Sequence, residues 1–263
     1  MDEIKSFRLA DSAVARGYRL QLYDEIGSTN DEALRLARGG GEDRAWFLAK
    51  AQRKGRGRQA RTWISPPGNL YASLLLIDAL PAPLAAQLGF VAGVALRRAL
   101  HEIVSDKERL KLKWPNDVLC DGAKVAGILL ESTNLSDGRF ACVIGIGVNC
   151  ASAPRGLPYP ATALADINAR DCEPQNLFLR LSHEIVDALD CFAGGAGFGA
   201  IREEWIASAA GIGAPIRVET PNGRLEGRFQ TIDSSGRLVV DCVDGAKIVE
   251  AGDVWLSEPM AVR

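Results

Sequence analysis

The chain has 263 residues, 47% of them hydrophobic and 24% charged, so it is long enough to bury a full core and to form one large domain and one small one. Its formal charge of −2 argues against a general attraction to nucleic acid or anionic lipid, so any anion binding must come from a local cluster of cations. The first residues lack the basic-then-apolar order of a signal peptide, and no apolar run approaches the roughly 18 residues of a membrane helix. These features predict a cytoplasmic protein with no membrane partner.

The cysteines and histidines argue against a disulfide, a metal site and a histidine-centred catalytic triad. The six cysteines are far apart, form no CxxC pair and fall mostly in apolar stretches, so they are predicted to be buried thiols. They are Cys120, Cys142, Cys150, Cys172, Cys191 and Cys242. Both histidines, His101 and His183, fall within helix-like segments. The chemistry is therefore expected to depend on lysine, arginine and backbone amides, which handle phosphate and carboxylate charge.

Hydrophobic periodicity changes repeatedly along the first 209 residues, which predicts a mixture of helices and strands. Helices are predicted over residues 30–38, 84–103, 175–192 and 198–209. Strands are predicted over residues 45–51, 70–77, 110–114, 118–120, 125–132 and 140–148. Asp121-Gly122 and Asp137-Gly138 are typical hairpin turns between consecutive strands. The predicted fold class is therefore α+β, with a mixed, mostly antiparallel central sheet flanked by helices.

From Pro215 onward the pattern consists of short strands. They are predicted over residues 216–219, 224–232, 238–243 and 247–250, and Asn222-Gly223 is a tight-turn signal. A set of four or five strands in about fifty residues predicts a small β-barrel. We therefore expect a larger domain over residues 1–212 and a barrel over residues 213–263.

The first candidate motif is the segment Gly27-Ser28-Thr29-Asn30-Asp31-Glu32. Thr29 and Glu32 have the spacing of a capping box ahead of an apolar helical run, so the segment is typical of a helix N-terminus. The alternative interpretation is that its hydroxyl, amide and backbone N–H groups also form the polar end of a pocket.

The second motif is a basic loop over residues 52–63, with five cations in the nine residues from Arg53 to Arg61. Its glycines allow close backbone approach, and arginine can grip phosphate or carboxylate oxygens in pairs. The loop is not a Walker loop, since GxxxxGK[ST] is absent. We expect it to be mobile when empty and to order over an anionic ligand. A solvated loop or an RNA-binding patch is the alternative.

The remaining motifs place a lysine and several glycines on predicted strands. In residues 110–117 the alternation puts Lys111 and Lys113 on one face, and Lys113 stands at the strand end, just before Pro115. Residues 124–131 and 144–149 are strands interrupted by glycines. A glycine inside a strand indicates that something approaches closely, although bulges or sheet packing are equally consistent with each one alone.

Taken together, GSTN, QxxGRGR, KWPND, KxAGIL(L)E and GIGxN resemble the catalytic domain of bacterial biotin protein ligases, and the resemblance runs from about Leu22 to the C-terminus. It implies a class II synthetase-like, biotin–lipoate ligase fold with a small SH3-like C-terminal barrel. It also implies that ATP activates biotin to biotinyl-5′-AMP, and that biotin then passes to a lysine of a biotin carboxyl carrier domain of acetyl-CoA carboxylase. Mg²⁺ would accompany ATP, without a metal site made by the protein alone.

The resemblance also assigns residues, each through a matched motif position. Those implied at the biotin site are Ser28, Thr29, Asn30, Gln52, Gly55, Arg56, Gly57, Arg58, Lys113 and Gly127. Those implied at ATP are Arg58, Arg61, Lys113, Asn116, Lys124 and Asn149. Lys113 and Arg58 are the expected catalytic residues, with Lys113 as the cation between the biotin carboxylate and the α-phosphate.

Two departures from the family pattern are visible. Many relatives begin with a winged-helix domain of about sixty residues, whereas here the Ser-Thr-Asn motif already stands at residue 28, so DNA binding is not expected. Ala60 occupies a loop position where relatives often have glycine. The family is compatible with a monomer or a homodimer.

Two other functions remain open from sequence. A lipoate or octanoate protein ligase would use the same fold, but it lacks the KWPND and GRGR combination. A non-enzymatic RNA-binding module would use the basic loop and the barrel, but cations do not outnumber anions and aromatic residues make up 6% of the chain.

Overall fold

The computed structural model describes residues 6–221 and 223–256. Seven strands form the large sheet: β1 (Arg19–Ile26), β2 (Ala45–Gln52), β3 (Leu70–Ile77), β4 (Leu110–Lys113), β5 (Asp117–Cys120), β6 (Ala123–Asn134) and β7 (Phe140–Val148). Their order is β1-β2-β3-β7-β6-β5-β4, with β1 and β2 parallel and every other pair antiparallel. The predicted mixed, mostly antiparallel sheet is confirmed.

Helices cover both faces of this sheet, which explains why all eight residues of β3 are buried. They are α1 (Asp11–Ala15), α2 (Thr29–Arg38), α3 (Leu88–His101), α4 (Pro174–Phe192) and α5 (Phe198–Ala207). The main core contains edge-to-face aromatic pairs, such as Trp46 with Phe178 at 5.3 Å between ring centroids. A second, smaller cluster lies under α2.

Some boundaries differ from the predictions. Neither α1 nor β1 was predicted. The helix predicted from residue 84 begins at Leu88 and follows a 3₁₀ helix over Ala82–Gln87. All six cysteines are free, and Cys191 is exposed rather than buried, because it lies on the outer face of the last turn of α4. Cys172 and Cys242 are half-buried.

The barrel consists of β8 (Pro215–Thr220), β9 (Gly223–Ile232), β10 (Leu238–Cys242), β11 (Gly245–Val249) and β12 (Asp253–Leu256). All are antiparallel, in the order β11-β10-β9-β8-β12. The barrel prediction is confirmed, and β12 adds a strand to the four predicted ones. Asn222, in the predicted turn, lies outside the described residues, as do residues 257–263.

The barrel is docked on the larger part of the chain through the turn between β9 and β10. Gly236 of this turn has φ +86° and lies against Phe90, where an added Cβ would be 2.6 Å from the ring. Its carbonyl accepts a hydrogen bond from the Trp114 indole at 3.1 Å, and Arg202 of α5 donates to the Ile232 carbonyl at 2.7 Å. The barrel is therefore held next to Trp114, the residue after Lys113.

No helix within the described ranges combines the length and apolar character needed to cross a bilayer. Those ranges also contain no group of three or more histidine, cysteine, aspartate or glutamate side chains suited to hold a metal ion.

Candidate functional site

A cavity of about 110 Å³ opens where α2, the basic loop, the ends of β4 and β5, and the barrel meet. Its lining includes residues from every motif identified in the sequence and from β12 of the barrel. The predicted site residues that line it are Ser28, Thr29, Asn30, Gln52, Arg56, Gly57, Arg58, Arg61, Lys113, Asn116, Lys124 and Gly127. The fold thus brings most of the predicted residues to one place.

The neutral end of the cavity is the buried N-terminus of α2. Ser28 is the N-cap, and its hydroxyl accepts a hydrogen bond from the Asp31 amide at 3.4 Å. The predicted capping box was therefore wrong by one residue. Glu32 does not return to the helix end, because Arg35 and Tyr23 donate hydrogen bonds to its carboxylate.

Thr29 and Asn30 are held in fixed orientations by their neighbours. Gln52 Oε1 accepts hydrogen bonds from the Thr29 amide and hydroxyl at 2.9 and 3.1 Å. The buried Ser73 hydroxyl lies 2.7 Å from Thr29 Oγ1 and 2.6 Å from Asn30 Oδ1. Asn30 Nδ2 donates to Glu131 at 2.7 Å. This end is thus a rigid set of neutral donors and acceptors.

The three arginines of the basic loop that line the cavity are all paired with carboxylates. Arg56 is paired with Asp31 and Glu131, and these contacts raise the pKa of its guanidinium. Arg58 and Arg61 are paired with Asp253 of β12, the former at 3.6 Å. Burial lowers the pKa of Arg58. Two of the predicted phosphate-binding cations are thus held by the barrel.

Lys113 and Lys124 lie at the charged end, on either side of Asp117. Lys124 Nζ is 2.5 Å from Asp117 Oδ1, and it lies between the rings of Trp63 and Tyr159 at 5.4 and 5.6 Å from their centroids. Lys113 is half-buried, and burial lowers the pKa of its ammonium, an effect that the nearby Asp117 partly offsets. Two lysines therefore lie near one carboxylate, and Lys124 is the one paired with it.

Three glycines of β6 and β7 leave room for side chains from other parts of the chain, which pack directly against the strand backbone. Gly127 and Gly147 face each other in β6 and β7, and the Trp63 indole lies over both of them. A Cβ on Gly147 would be 2.7 Å from this indole, and one on Gly127 would be 3.2 Å from it. A Cβ on Gly145 would collide with Asn30. The inference of close approach is confirmed at these three positions.

Two predicted residues lie outside the cavity lining. Gly55 packs under the Trp63 carbonyl and the side chain of Ser65, where a Cβ would not fit. Asn149 lies in a smaller adjoining pocket that shares Trp63, Lys124 and Tyr159 with the cavity, and its amide donates to the Thr162 carbonyl at 3.1 Å.

Several lining residues were missed by sequence reasoning, among them Trp63, Tyr159, Asp253 and Trp255. Trp63 is the last residue of the basic loop, and its contact with strand glycines far along the chain leaves no local signal in the sequence. Asp253 and Trp255 belong to a strand that was not predicted.

Comparison with known proteins agrees with this geometry. The model of the Biotin/lipoate A/B protein ligase family matches residues 27–149, and that of the Biotin protein ligase C terminal domain matches residues 211–257. A Biotin--[acetyl-CoA-carboxylase] ligase of Paracoccus denitrificans is 40% identical over 87% of this chain and 96% of its own length. The chain belongs to the biotin protein ligase family.

Other members of the biotin protein ligase family support the same conclusion. A Biotin--[acetyl-CoA-carboxylase] ligase of Mycobacterium tuberculosis is 31% identical over 90% of this chain and 89% of its own length. The structure of the biotin protein ligase from Aquifex aeolicus in complex with biotin and ATP has a TM-score of 0.76 and 28% identity, over 92% of this chain and 99% of that one. The family resemblance and the fold inferred from the motifs are confirmed.

Proposed function

We propose that this chain is an ATP-dependent biotin–[acetyl-CoA-carboxylase] ligase. The biotin carboxylate attacks the α-phosphorus of ATP, pyrophosphate leaves, and biotinyl-5′-AMP forms. The amine of an acceptor lysine then attacks the carbonyl carbon, AMP leaves, and an amide bond remains. The observation that carries the proposal is a single cavity with a neutral polar end and a charged end that holds two lysines and two arginines.

The neutral end is suited to the uncharged head group of biotin. Thr29, Asn30 and Gln52 provide both donors and acceptors, and their contacts with Ser73 hold them in place before a ligand arrives. Preorganised groups of this kind lose little entropy on binding. The carboxylate tail of biotin then extends toward the lysines.

At the charged end, joining a carboxylate to a phosphate brings two anions together, so the barrier is largely electrostatic. We assign the bridging cation to Lys113, supported by its burial and its place at the end of β4. Lys124 stands on the other side of Asp117 and supplies a second positive charge to the same phosphate. Asp117 is also assigned to orient the amine of the acceptor lysine for its attack on the adenylate.

Arg58 and Arg61 are assigned to the phosphates of ATP. Their present partner is the Asp253 carboxylate, which a triphosphate would replace as the counter-charge. The nucleoside is assigned to the adjoining pocket with Asn149 and Tyr159, next to Asn116. In this arrangement the barrel contributes to the nucleotide site.

Mg²⁺ fits this site as a companion of ATP. The lining has two carboxylates, Asp117 and Asp253, and the described residues form no metal cage of their own. Magnesium is commonly held by one or two carboxylates together with substrate phosphates, and it supplies charge neutralisation on the triphosphate.

The wider setting is proposed on the same basis. The division into a catalytic domain over residues 1–212 and a barrel over residues 213–263 is supported by the two separate sheets. A carrier protein, rather than DNA or a membrane, is the proposed partner, since the chain carries a net charge of −2. We propose a cytoplasmic monomer or homodimer.

The test is biotin-dependent exchange of labelled pyrophosphate into ATP, which isolates the first half-reaction. Lys113→Ala is expected to lower exchange about 100-fold or more, because a cation at the reacting oxygens is lost. Lys111→Ala is the matched control: Lys111 lies on the same strand, is paired with Glu108 at the surface, and should leave exchange unchanged. Exchange supported by lipoate instead of biotin would assign the chain to lipoate chemistry, and no exchange with either acid would refute the proposal.

A further inference from the structure

Arg56 is bound to two carboxylates that have no part in the proposed chemistry. Its Nη1 and Nη2 donate to Asp31 of α2 at 2.7 and 2.6 Å, and Nη2 is 3.1 Å from both oxygens of Glu131 on β6. The three side chains are only partly exposed, at 30%, 51% and 27% respectively. A charged, two-pronged contact of this kind is strong and directional.

Glu131 connects this pair to the neutral end of the cavity. Its carboxylate accepts from Asn30 Nδ2, and Asn30 Oδ1 is bound to the buried Ser73 hydroxyl. Ser73 also contacts Thr29, which donates to Gln52. Every polar group proposed to bind the biotin head group is therefore linked to Arg56 through hydrogen bonds.

The network returns to the basic loop at its other end. Gln52 Nε2 donates to Ser65 Oγ at 3.1 Å, and Ser65 Oγ donates to the Trp63 carbonyl at 2.9 Å. The loop is thus attached at Arg56 and again at Trp63 to the set of side chains that forms the neutral end. Hydrogen-bond networks of this kind restrict all their members together.

These contacts argue against the Arg56 guanidinium as the group that binds the biotin carboxylate, although Arg56 lines the cavity as predicted. Its guanidinium already faces two negative charges, and an incoming anion would have to displace at least one of them at the cost of leaving it unpaired. Lys113, and Lys124 with its single partner Asp117, are better placed for that task.

Resting on the proposed function, we infer that Asp31 and Glu131 are positioning residues, which hold Arg56 and thereby couple closure of the basic loop to occupation of the biotin site. Biotin at Thr29 and Asn30 stabilises the network, and the network keeps the loop over the ligand. Loss of either carboxylate loosens the loop and weakens biotin binding without removing a group that touches biotin.

The experiment uses the full chain with the variants Asp31→Asn and Glu131→Gln. The first measurement is the rate of tryptic cleavage within residues 53–61 without ligand, and the second is biotin affinity by calorimetry. Either variant should be cleaved about 10-fold faster and bind biotin about 10-fold more weakly, which is the scale of a lost charged hydrogen bond. Melting temperatures measured alongside show whether the change is local.

Glu32→Gln is the matched control. Glu32 is the neighbouring carboxylate on α2, paired with Arg35 and not with the loop, so this variant should behave like the wild type in both measurements. In the double variant Asp31→Asn with Arg56→Gln, the loss of affinity should equal that of Arg56→Gln alone, since the two residues act as one unit.

Two outcomes would overturn the inference: wild-type cleavage rates in Asp31→Asn and Glu131→Gln, or additive losses in the double variant. A wild type that binds no biotin would instead refute the proposed function. The cleavage rates of the empty variants would still decide whether the carboxylates hold the loop.

Discussion

At the scale of single residues, the site depends on charge held where water is scarce. Lys113 is half-buried near Asp117 and Arg58 is half-buried beside Asp253, and burial lowers the pKa of each cation. The sequence predicted these cations because each stands in a local motif with a strand end or a glycine beside it. Their carboxylate partners were not predicted, because the fold determines such a partner and it can lie anywhere in the chain.

Burial of Lys113 should cost stability. Because its folded pKa lies below the unfolded value of about 10.4, the unfolded chain binds the proton more tightly. The cost is fully present below the folded pKa and disappears as pH rises toward the unfolded pKa. Lys113→Met should therefore raise the melting temperature by about 2–4 °C at pH 7 and by less at alkaline pH, while abolishing exchange. Calorimetric melting from pH 7 to 10 checks this, and a lower melting temperature at pH 7 would contradict it.

At the scale of elements, periodicity predicted the buried strands well but missed two of the four edge strands, β1 and β12. Each residue of β3 is apolar or small and buried, which gives a clear signal. The missed strand β1 is an edge strand with no fully buried residue, so its pattern is mixed. The short strand β12 packs only Val254 and the partly buried Leu256 against the core, and Asp253 and Trp255 line the cavity.

Docking of the barrel should be necessary for ATP binding, because β12 forms one wall of the cavity. Gly236→Ala puts a Cβ against Phe90 at a position with φ +86°, and should raise the KM for ATP about 10-fold or more. Gly245→Ala is the control, since Gly245 has φ +106° but an open surrounding. It should weaken the barrel without changing the KM for ATP. Equal KM values for the two variants would show that docking through this turn is dispensable.

At the scale of the whole molecule, the site lies at a junction that no single segment predicts. Motif order indicated which residues belong together, and the two sheets with their helices explain how they meet. The relative placement of barrel and sheet depends on a few contacts, such as that between Trp114 and Gly236. Such contacts join residues from distant parts of the sequence and follow no periodicity.

Global stability should fall in mild acid because of one half-buried histidine. Burial, together with Arg97 and Lys107, lowers the pKa of His101 to about 4. Between pH 6.5 and 4, His101 is protonated in the unfolded chain but stays neutral in the folded chain. The free energy of unfolding therefore decreases as pH falls through this range. His101→Phe should flatten this part of the profile, measured by urea unfolding at pH 7, 5.5 and 4.5. His183→Gln, at an exposed position, should not. An unchanged slope in His101→Phe would assign the acid sensitivity to other groups.

The position of β12 in the chain has a consequence for biosynthesis. Asp253, Val254 and Trp255 complete the cavity, yet the ribosome makes them after every other residue that lines it. A growing chain can therefore fold its large sheet, with Lys113, Lys124 and the basic loop in place, before β12 is available to form its wall of the cavity. We therefore expect that a chain under synthesis forms no acyl adenylate until β12 has been made and has joined the barrel.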